Sequence, residues 1–315
     1  MRTVLGAVLA AMIWTGVWTG YAMAQDDMPA NAEDLVWARP DGLELGARIY
    51  WPEALGSGPL PVVIDVHGGA WSALDRTSGE YYAAALAGRG YIVVSIDFRQ
   101  GPDFQHPAGS ADVAAAVRWV RLNAARLEAD PQRIALIGSS SGGHLAMLAA
   151  LRPDAPAHAG TPIRDMDGPA DAFAPQDSID ASVAAVVAMW PVSDPLARFK
   201  YAQRAGVEPL LGGHQAYFGG DEAAMLDASI PRIVTSGEAG AGADLPPLLV
   251  IQPGMDSNIP QDMTFDLLRA YQSREGHLEY GFYPGQPHAF GHRPSAEADD
   301  MIALVADFLD RRFAD

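Results

Sequence analysis

Short apolar runs alternate with stretches of helical spacing along most of the chain. Pro61–Val66 (PVVIDV), Tyr91–Ile96 (YIVVSI), Arg133–Ile137 (RIALI), Val183–Met189 (VAAVVAM) and Leu248–Gln252 (LLVIQ) are brief and rich in β-branched residues, which predicts strands. They are continuously apolar rather than alternating, as expected of strands buried on both faces of a parallel sheet. Leu45–Trp51 alternates loosely and reads as an edge strand, and Leu278–Tyr283 reads as the last strand. Tyr82–Gly88, Ala111–Glu128, Gly142–Leu151, the stretch from about Gln261 to Arg274, and Ala296–Arg312 carry apolar positions at helical spacing. Strands alternating with helices predict an α/β fold with a mostly parallel central sheet and helices on both faces. Two stretches depart from this pattern. Pro153–Asp180 is rich in Pro, Asp, Ala and Gly, and the longer Asp194–Asp244 contains Phe199, Tyr201, Tyr217 and Phe218. Both are expected to be irregular cap or lid insertions at the mouth of a site, inside a single domain spanning 25–315.

The amino terminus has a different character. Arg2 is the sole charge before Asp26, an apolar stretch runs from Val4 to Trp18, and Ala22-Met23-Ala24 follows. A positive start, an apolar middle and an A-x-A exit predict a secretory signal peptide over residues 1–24, cleaved after Ala24. The apolar run is short for a membrane span, so no stable anchor and a periplasmic or extracellular location are expected. Over the 315 residues, 49% are hydrophobic and 19% charged, enough apolar material for a large core. Twenty-one basic against 39 acidic residues give a net charge of −18. That sign disfavours nucleic acid and anionic membrane as partners. The absence of cysteine excludes disulfides, thiolate metal sites and a cysteine nucleophile. H-E-x-x-H, phosphate-loop and dinucleotide glycine motifs are missing, so neither a metal nor an organic cofactor is expected.

Gly138-Ser139-Ser140-Ser141-Gly142 fits G-x-S-x-G, lying between the predicted strand RIALI and a predicted helix. That strand–turn–helix setting turns a common pentapeptide into a candidate nucleophile elbow, with Ser140 at its centre. A serine hydroxyl needs a base, and the base needs an orienting acid; in folds built on this turn they follow in the order Ser, Asp or Glu, His. Of the eight histidines, His288 and His292 follow the last predicted strand, and His288 in Pro287-His288-Ala289-Phe290 is the favoured base. Two aspartates follow core strands: Asp256 after LLVIQ and Asp194 after VAAVVAM. Position alone leaves both open. His67-Gly68-Gly69-Ala70-Trp71 follows PVVIDV, and the amides of Gly69, Ala70 and Ser141 are the expected oxyanion donors. Trp71 and Trp190 are the expected walls of the substrate pocket.

Together these segments resemble the α/β-hydrolase superfamily, in particular its esterase/lipase branch of feruloyl- and acetyl-esterase-like enzymes and kynurenine formamidases. The branch's HGG-aromatic loop, GxSxGG elbow, G-x-D-x-x-V/I-P segment and H-x-F segment stand here as His67–Trp71, Gly138–Gly143, Gly254–Pro260 and His288–Phe290. Asp97-Phe98-Arg99 and Asp112 also look like family positions. The resemblance implies Ser140 as nucleophile, His288 as base and Asp256 as acid, in an esterase without a cofactor. Ala70 and Ser139 depart from the HGGG loop and Asp-Ser elbow of the hormone-sensitive-lipase branch. The expected export and the acidic charge, rather than the resemblance, suit a small-molecule or polysaccharide-linked ester as substrate. An amidase or peptidase would share every motif, and a non-catalytic binding protein on the same scaffold is the alternative of a different class.

Overall fold

The computed structural model describes residues 31–53, 58–239 and 244–314; the predicted signal peptide lies outside the described residues. Ten strands form one sheet in the order β10-β9-β8-β5-β3-β4-β2-β1-β6-β7. They are β1 Ala32–Ala38, β2 Leu45–Tyr50, β3 Leu60–Val66, β4 Ile92–Ile96, β5 Ala129–Ser139, β6 Ile163–Arg164, β7 Phe173–Ala174, β8 Ala185–Met189, β9 Leu248–Pro253 and β10 Leu278–Tyr283. The run from β10 to β4 is parallel throughout, and β2, β1, β6 and β7 continue it antiparallel. The apolar runs have become strands because each one is covered on both faces. Val63, Val93, Ile137, Val187 and Leu249 point into a cluster with α1 (Glu80–Ala87) and α9 (Ala296–Phe313). Ile64, Val94, Leu136, Val186 and Val250 point into the opposite one, with α2 (Ala108–Leu122), α3 (Ser141–Leu151) and α8 (Gln261–Ser273).

Three expectations change. Leu45–Trp51 is not an edge: β2 lies between β4 and a first strand, β1, that the sequence pattern did not reveal. Residues of β1 alternate Glu33, Asp34 and Leu35 with no clean apolar face, and Asp34 is held by Arg48 of β2 and by Arg76. Second, Asp194–Asp244 is helical over most of its length, as α4 Pro195–Ala205, α5 Glu208–Phe218, α6 Glu222–Asp227 and α7 Ile230–Ser236. Asp194, Asp221 and Ser229 start three of these helices, and left-handed glycines at 206, 219 and 237 end three. Third, Pro153–Asp180 does not reach the mouth of the site. It runs outside α2 to the far edge of the sheet, where β6 pairs with β1 and β7. The buried Arg118 of α2 donates to the carbonyls of Pro153, His158 and Ile179 and ties this segment down. Among the described residues, no helix is long and apolar enough to cross a membrane.

Candidate active site

Three loops at the carboxyl ends of parallel strands meet at Ser140, where open α/β sheets place their sites. Ser140 joins β5 to α3 with φ 55° and ψ −117°. No non-glycine residue favours this geometry, and such strain is characteristic of functional turns. The neighbouring glycine explains how so tight a turn closes. A Cβ on Gly142 would lie 2.0 Å from the Val66 carbonyl oxygen, so nothing larger fits where α3 crosses the end of β3.

The Ser140 hydroxyl lies 3.2 Å from His288 Nε2, to which it donates. On the other side of the ring, Nδ1–H donates to Asp256 Oδ2 at 2.8 Å. The second Asp256 oxygen accepts from the amides of Asn258 and Ile259, at 2.8 and 2.9 Å. The carboxylate is therefore fixed as an acceptor, with its side chain closed to solvent, while the imidazole keeps 22% of its side chain exposed. An imidazole so held presents an unprotonated Nε2 to the hydroxyl and can receive its proton. Asp194 has another job. It caps α4 by accepting from Ala197 N at 2.8 Å and from Ser229 Oγ at 2.8 Å. His292 is buried against Tyr82 and Trp190, and burial pushes its pKa down to about 4.

The His67–Trp71 loop passes directly beside the elbow. A Cβ on Gly68 would stand 3.3 Å from Ser140 Cβ, and Trp71 N–H donates to Ser141 Oγ at 3.1 Å. Gly69 and Ala70 are held between these two contacts. Gly69, Ala70 and Trp71 all have positive φ, at 100°, 53° and 59°. The left-handed run costs roughly 1–2 kcal/mol at each non-glycine residue. Gly69 has no alternative, since a Cβ there would sit 1.9 Å from the Ala73 carbonyl oxygen. Ser141 is the first residue of α3, so its amide has no acceptor within the helix and lies at the positive end of the dipole.

Trp71 and Trp190 do not line an open pocket, because both are fully buried. Trp71 lies under α5, stacked on Tyr217 and edge-on to His144, His214 and Phe218. Its indole N–H donates to His144 Nδ1 at 3.2 Å, and His144 Nε2 donates to the Ala228 carbonyl at 2.9 Å. This imidazole is neutral, and burial pushes its pKa to about 3. Trp190 packs on the rings of His288 and Phe290. Asp97 and Asp112 lie away from the triad: Arg76 binds Asp97, and Arg99 forks onto the fully buried Asp112.

The sequence reading missed two contributors. His144 stands one turn past Ser140, a spacing that marks a shared helix face. Arg198 sits in the insertion, and its Nη2 donates to Asn258 Oδ1 in the acid loop. Nothing local in the sequence announced that contact, which joins residues sixty positions apart.

This sheet, elbow and loop arrangement is an α/β-hydrolase fold. The chain belongs to the BD-FAE family, whose model matches residues 48–270. It is 45% identical over 117 residues to the carboxylesterase NlhH of Mycobacterium tuberculosis, a match covering 36% of each protein. It is 31% identical over 298 residues to the esterase LipC of the same organism, covering 90% of this chain and 63% of LipC. The matches thus span less than two thirds of these relatives' lengths. Among solved structures, the propionate-bound esterase Est2 of Thermogutta terrifontis superposes with a TM-score of 0.67 at 24% identity, covering 90% of this chain and 94% of that one. Esterase B from Lactobacillus rhamnosis superposes with a TM-score of 0.71 at 22% identity, covering 90% and 88%. These likenesses establish the fold.

Proposed function

We propose that this protein is an exported serine hydrolase that cleaves carboxylic esters through an acyl-enzyme intermediate. The observation that carries the reading is the unbroken hydrogen-bond chain from Ser140 through His288 to Asp256, beside the strained loop at Gly69 and Ala70. Ser140 Oγ attacks the ester carbonyl as His288 Nε2 takes its proton. The Gly69, Ala70 and Ser141 amides receive the oxyanion. His288 returns the proton to the leaving alcohol, and water then repeats the sequence on the acyl group. Asp256 holds the ring tautomer and stabilises the imidazolium.

The names of the similar proteins, a carboxylesterase and an esterase, support ester over amide substrates. The leader pattern of residues 1–24 supports export to the periplasm or beyond. An exported acidic protein suits small-molecule or polysaccharide-linked esters rather than nucleic acid or membrane. The test is hydrolysis of p-nitrophenyl acetate and butyrate by the wild type beside Ser140→Ala. The expected result is turnover that falls at least about 10³-fold in the variant. Equal turnover in both proteins would overturn the nucleophile; turnover of anilides but not esters would move the reading to an amidase. A panel of acetylated and feruloylated sugars then tests the polysaccharide-linked substrate.

A further inference from the structure

Helix α4 touches the acid loop twice from one face. Arg198 is only 1% exposed, and its guanidinium reaches Asn258 with both Nε, which lies 3.4 Å from the backbone carbonyl oxygen, and Nη2, which donates to the side-chain Oδ1. One turn further, the Tyr201 hydroxyl donates to the Ser257 carbonyl at 3.1 Å. Ser257 and Asn258 are the residues that immediately follow Asp256. The amides of Asn258 and Ile259 are in turn the donors that hold Asp256 Oδ1. The same guanidinium lies 6.0 Å from the centre of the Trp71 ring, at the end of the oxyanion loop. One buried cation thus borders both halves of the proposed machinery.

We propose that Arg198 is a positioning residue of the triad: it registers the acid loop, and with it Asp256 and His288, to the helical insertion. This inference rests on the reading of Ser140 as nucleophile. Packing alone does not account for an arginine here. A methionine would fill similar space without the desolvation cost of a buried charge, and replacing buried charges by apolar groups is often neutral or stabilising. The fork has what a lysine lacks, two donors in fixed geometry for two acceptors on one residue. The groups facing the guanidinium are Asp256 and Asn258 from the acid loop, Trp71 from the oxyanion loop and His214 from α5. Burial lowers the pKa of Arg198 to about 10, so it is a cation at neutral pH.

The experiment compares wild type, Arg198→Met, Arg198→Lys, Asn258→Ala and a control on the outer side of the same helix, Lys200→Ala. Each is assayed for kcat and KM on p-nitrophenyl acetate, for the rate of Ser140 labelling by a fluorophosphonate read by intact mass, and for Tm. Arg198→Met is expected to lose about 10- to 100-fold in kcat with KM nearly kept, the scale of a misplaced catalytic group. Arg198→Lys keeps the charge but loses the fork and is expected to recover only part of kcat. Asn258→Ala loses kcat with KM nearly kept, and Lys200→Ala matches wild type. A folded Arg198→Met with wild-type kcat and labelling rate overturns the proposal. So does a loss that appears in KM rather than in kcat, or one that lysine relieves no better than methionine, which would mean a merely structural arginine. Should Arg198→Met fail to fold, wild-type rates in both Arg198→Lys and Asn258→Ala overturn it instead. Wild type that is labelled at Ser140 yet hydrolyses no ester would remove the esterase reading alone, and the labelling rates then judge Arg198. Wild type that is not labelled removes both.

Discussion

At the scale of single residues, the two candidate acids separate cleanly by what they accept. Asp256 takes the His288 Nδ1–H and two backbone amides, whereas Asp194 takes a helix amide and a serine hydroxyl. Asp256→Asn is therefore expected to lower kcat by about 10³–10⁴-fold with little change in KM, because the ring loses its tautomer lock. Asp194→Asn keeps the cap and is expected to keep kcat; steady-state kinetics on an aryl ester separates the two, and the opposite ranking would transfer the acid role. Ser141 offers a subtler case. Its hydroxyl accepts the Trp71 amide, while its own amide is a proposed oxyanion donor. Ser141→Ala keeps the donor but strands a buried N–H, which costs about 1–3 kcal/mol. Lower stability by chemical denaturation together with a reduced kcat is the expected result. A loss of stability with kcat intact would mean that the loop holds its strained shape without this bond.

At the scale of elements, the two insertions part company. The 194–244 segment is a helical brace on the Asp256 and His67–Trp71 loops, while 153–180 is fastened to the outer face of α2. Arg118 supplies three of the donors that fasten it, and Thr161 adds a bond to Asp112. Arg118→Met leaves three carbonyls without their donor, so cleavage within 153–180 by limited proteolysis is expected to accelerate strongly while kcat changes little. Protection equal to wild type would show that the β6–β7 pairing suffices. These elements also mark how far the sequence could be read. The core strands, the elbow and the His288 loop were legible because local pattern dictates them: apolar runs need two-sided cover, and a strained serine needs small neighbours. The strand β1 was not legible, because its Asp34 is satisfied by Arg48 and Arg76 from elsewhere in the chain. The helices of 194–244 were obscured by glycines that end them and prolines that start them, which read as loop. Choosing Asp256 over Asp194 needed a resemblance, since only the folded loop shows which carboxylate meets the histidine.

At the scale of the whole molecule, the histidines set the response to acid. Burial pushes His106, His158, His214 and His292 to about 4 and His144 to about 3. His67 moves the same way. In the unfolded chain each titrates near 6.5, so between about pH 6.5 and 4 the unfolded state binds protons that the folded state refuses. Stability then falls as pH falls, by up to about 1.4 kcal/mol per pH unit for each histidine. Asp65 acts in the opposite sense. Burial raises it to about 6, with Tyr82 and Ser95 as its donors, so the folded state holds a proton that the unfolded state releases, and acidification favours folding there. Relief of self-repulsion in a chain of net charge −18 also works that way, but ordinary carboxylates titrate mainly below pH 5. Asp112 is raised by burial in the same sense as Asp65, but the histidines outnumber these two carboxyls and begin at higher pH, so they win. Three of them acting fully give about 4 kcal/mol per pH unit, against a typical total stability of 5–15 kcal/mol. Calorimetry between pH 7.5 and 4.5 is expected to show Tm nearly constant down to about 6.5 and then dropping steeply, with unfolding near pH 5. His292→Leu, which removes a buried ring whose Nε2 has no partner among the described residues, is expected to flatten that slope. A Tm that holds level to pH 5 would mean that these imidazoles accept protons in the folded state. The packing around the His67–Trp71 loop would then be far more open to water than the buried rings of Trp71, His144 and His214 allow.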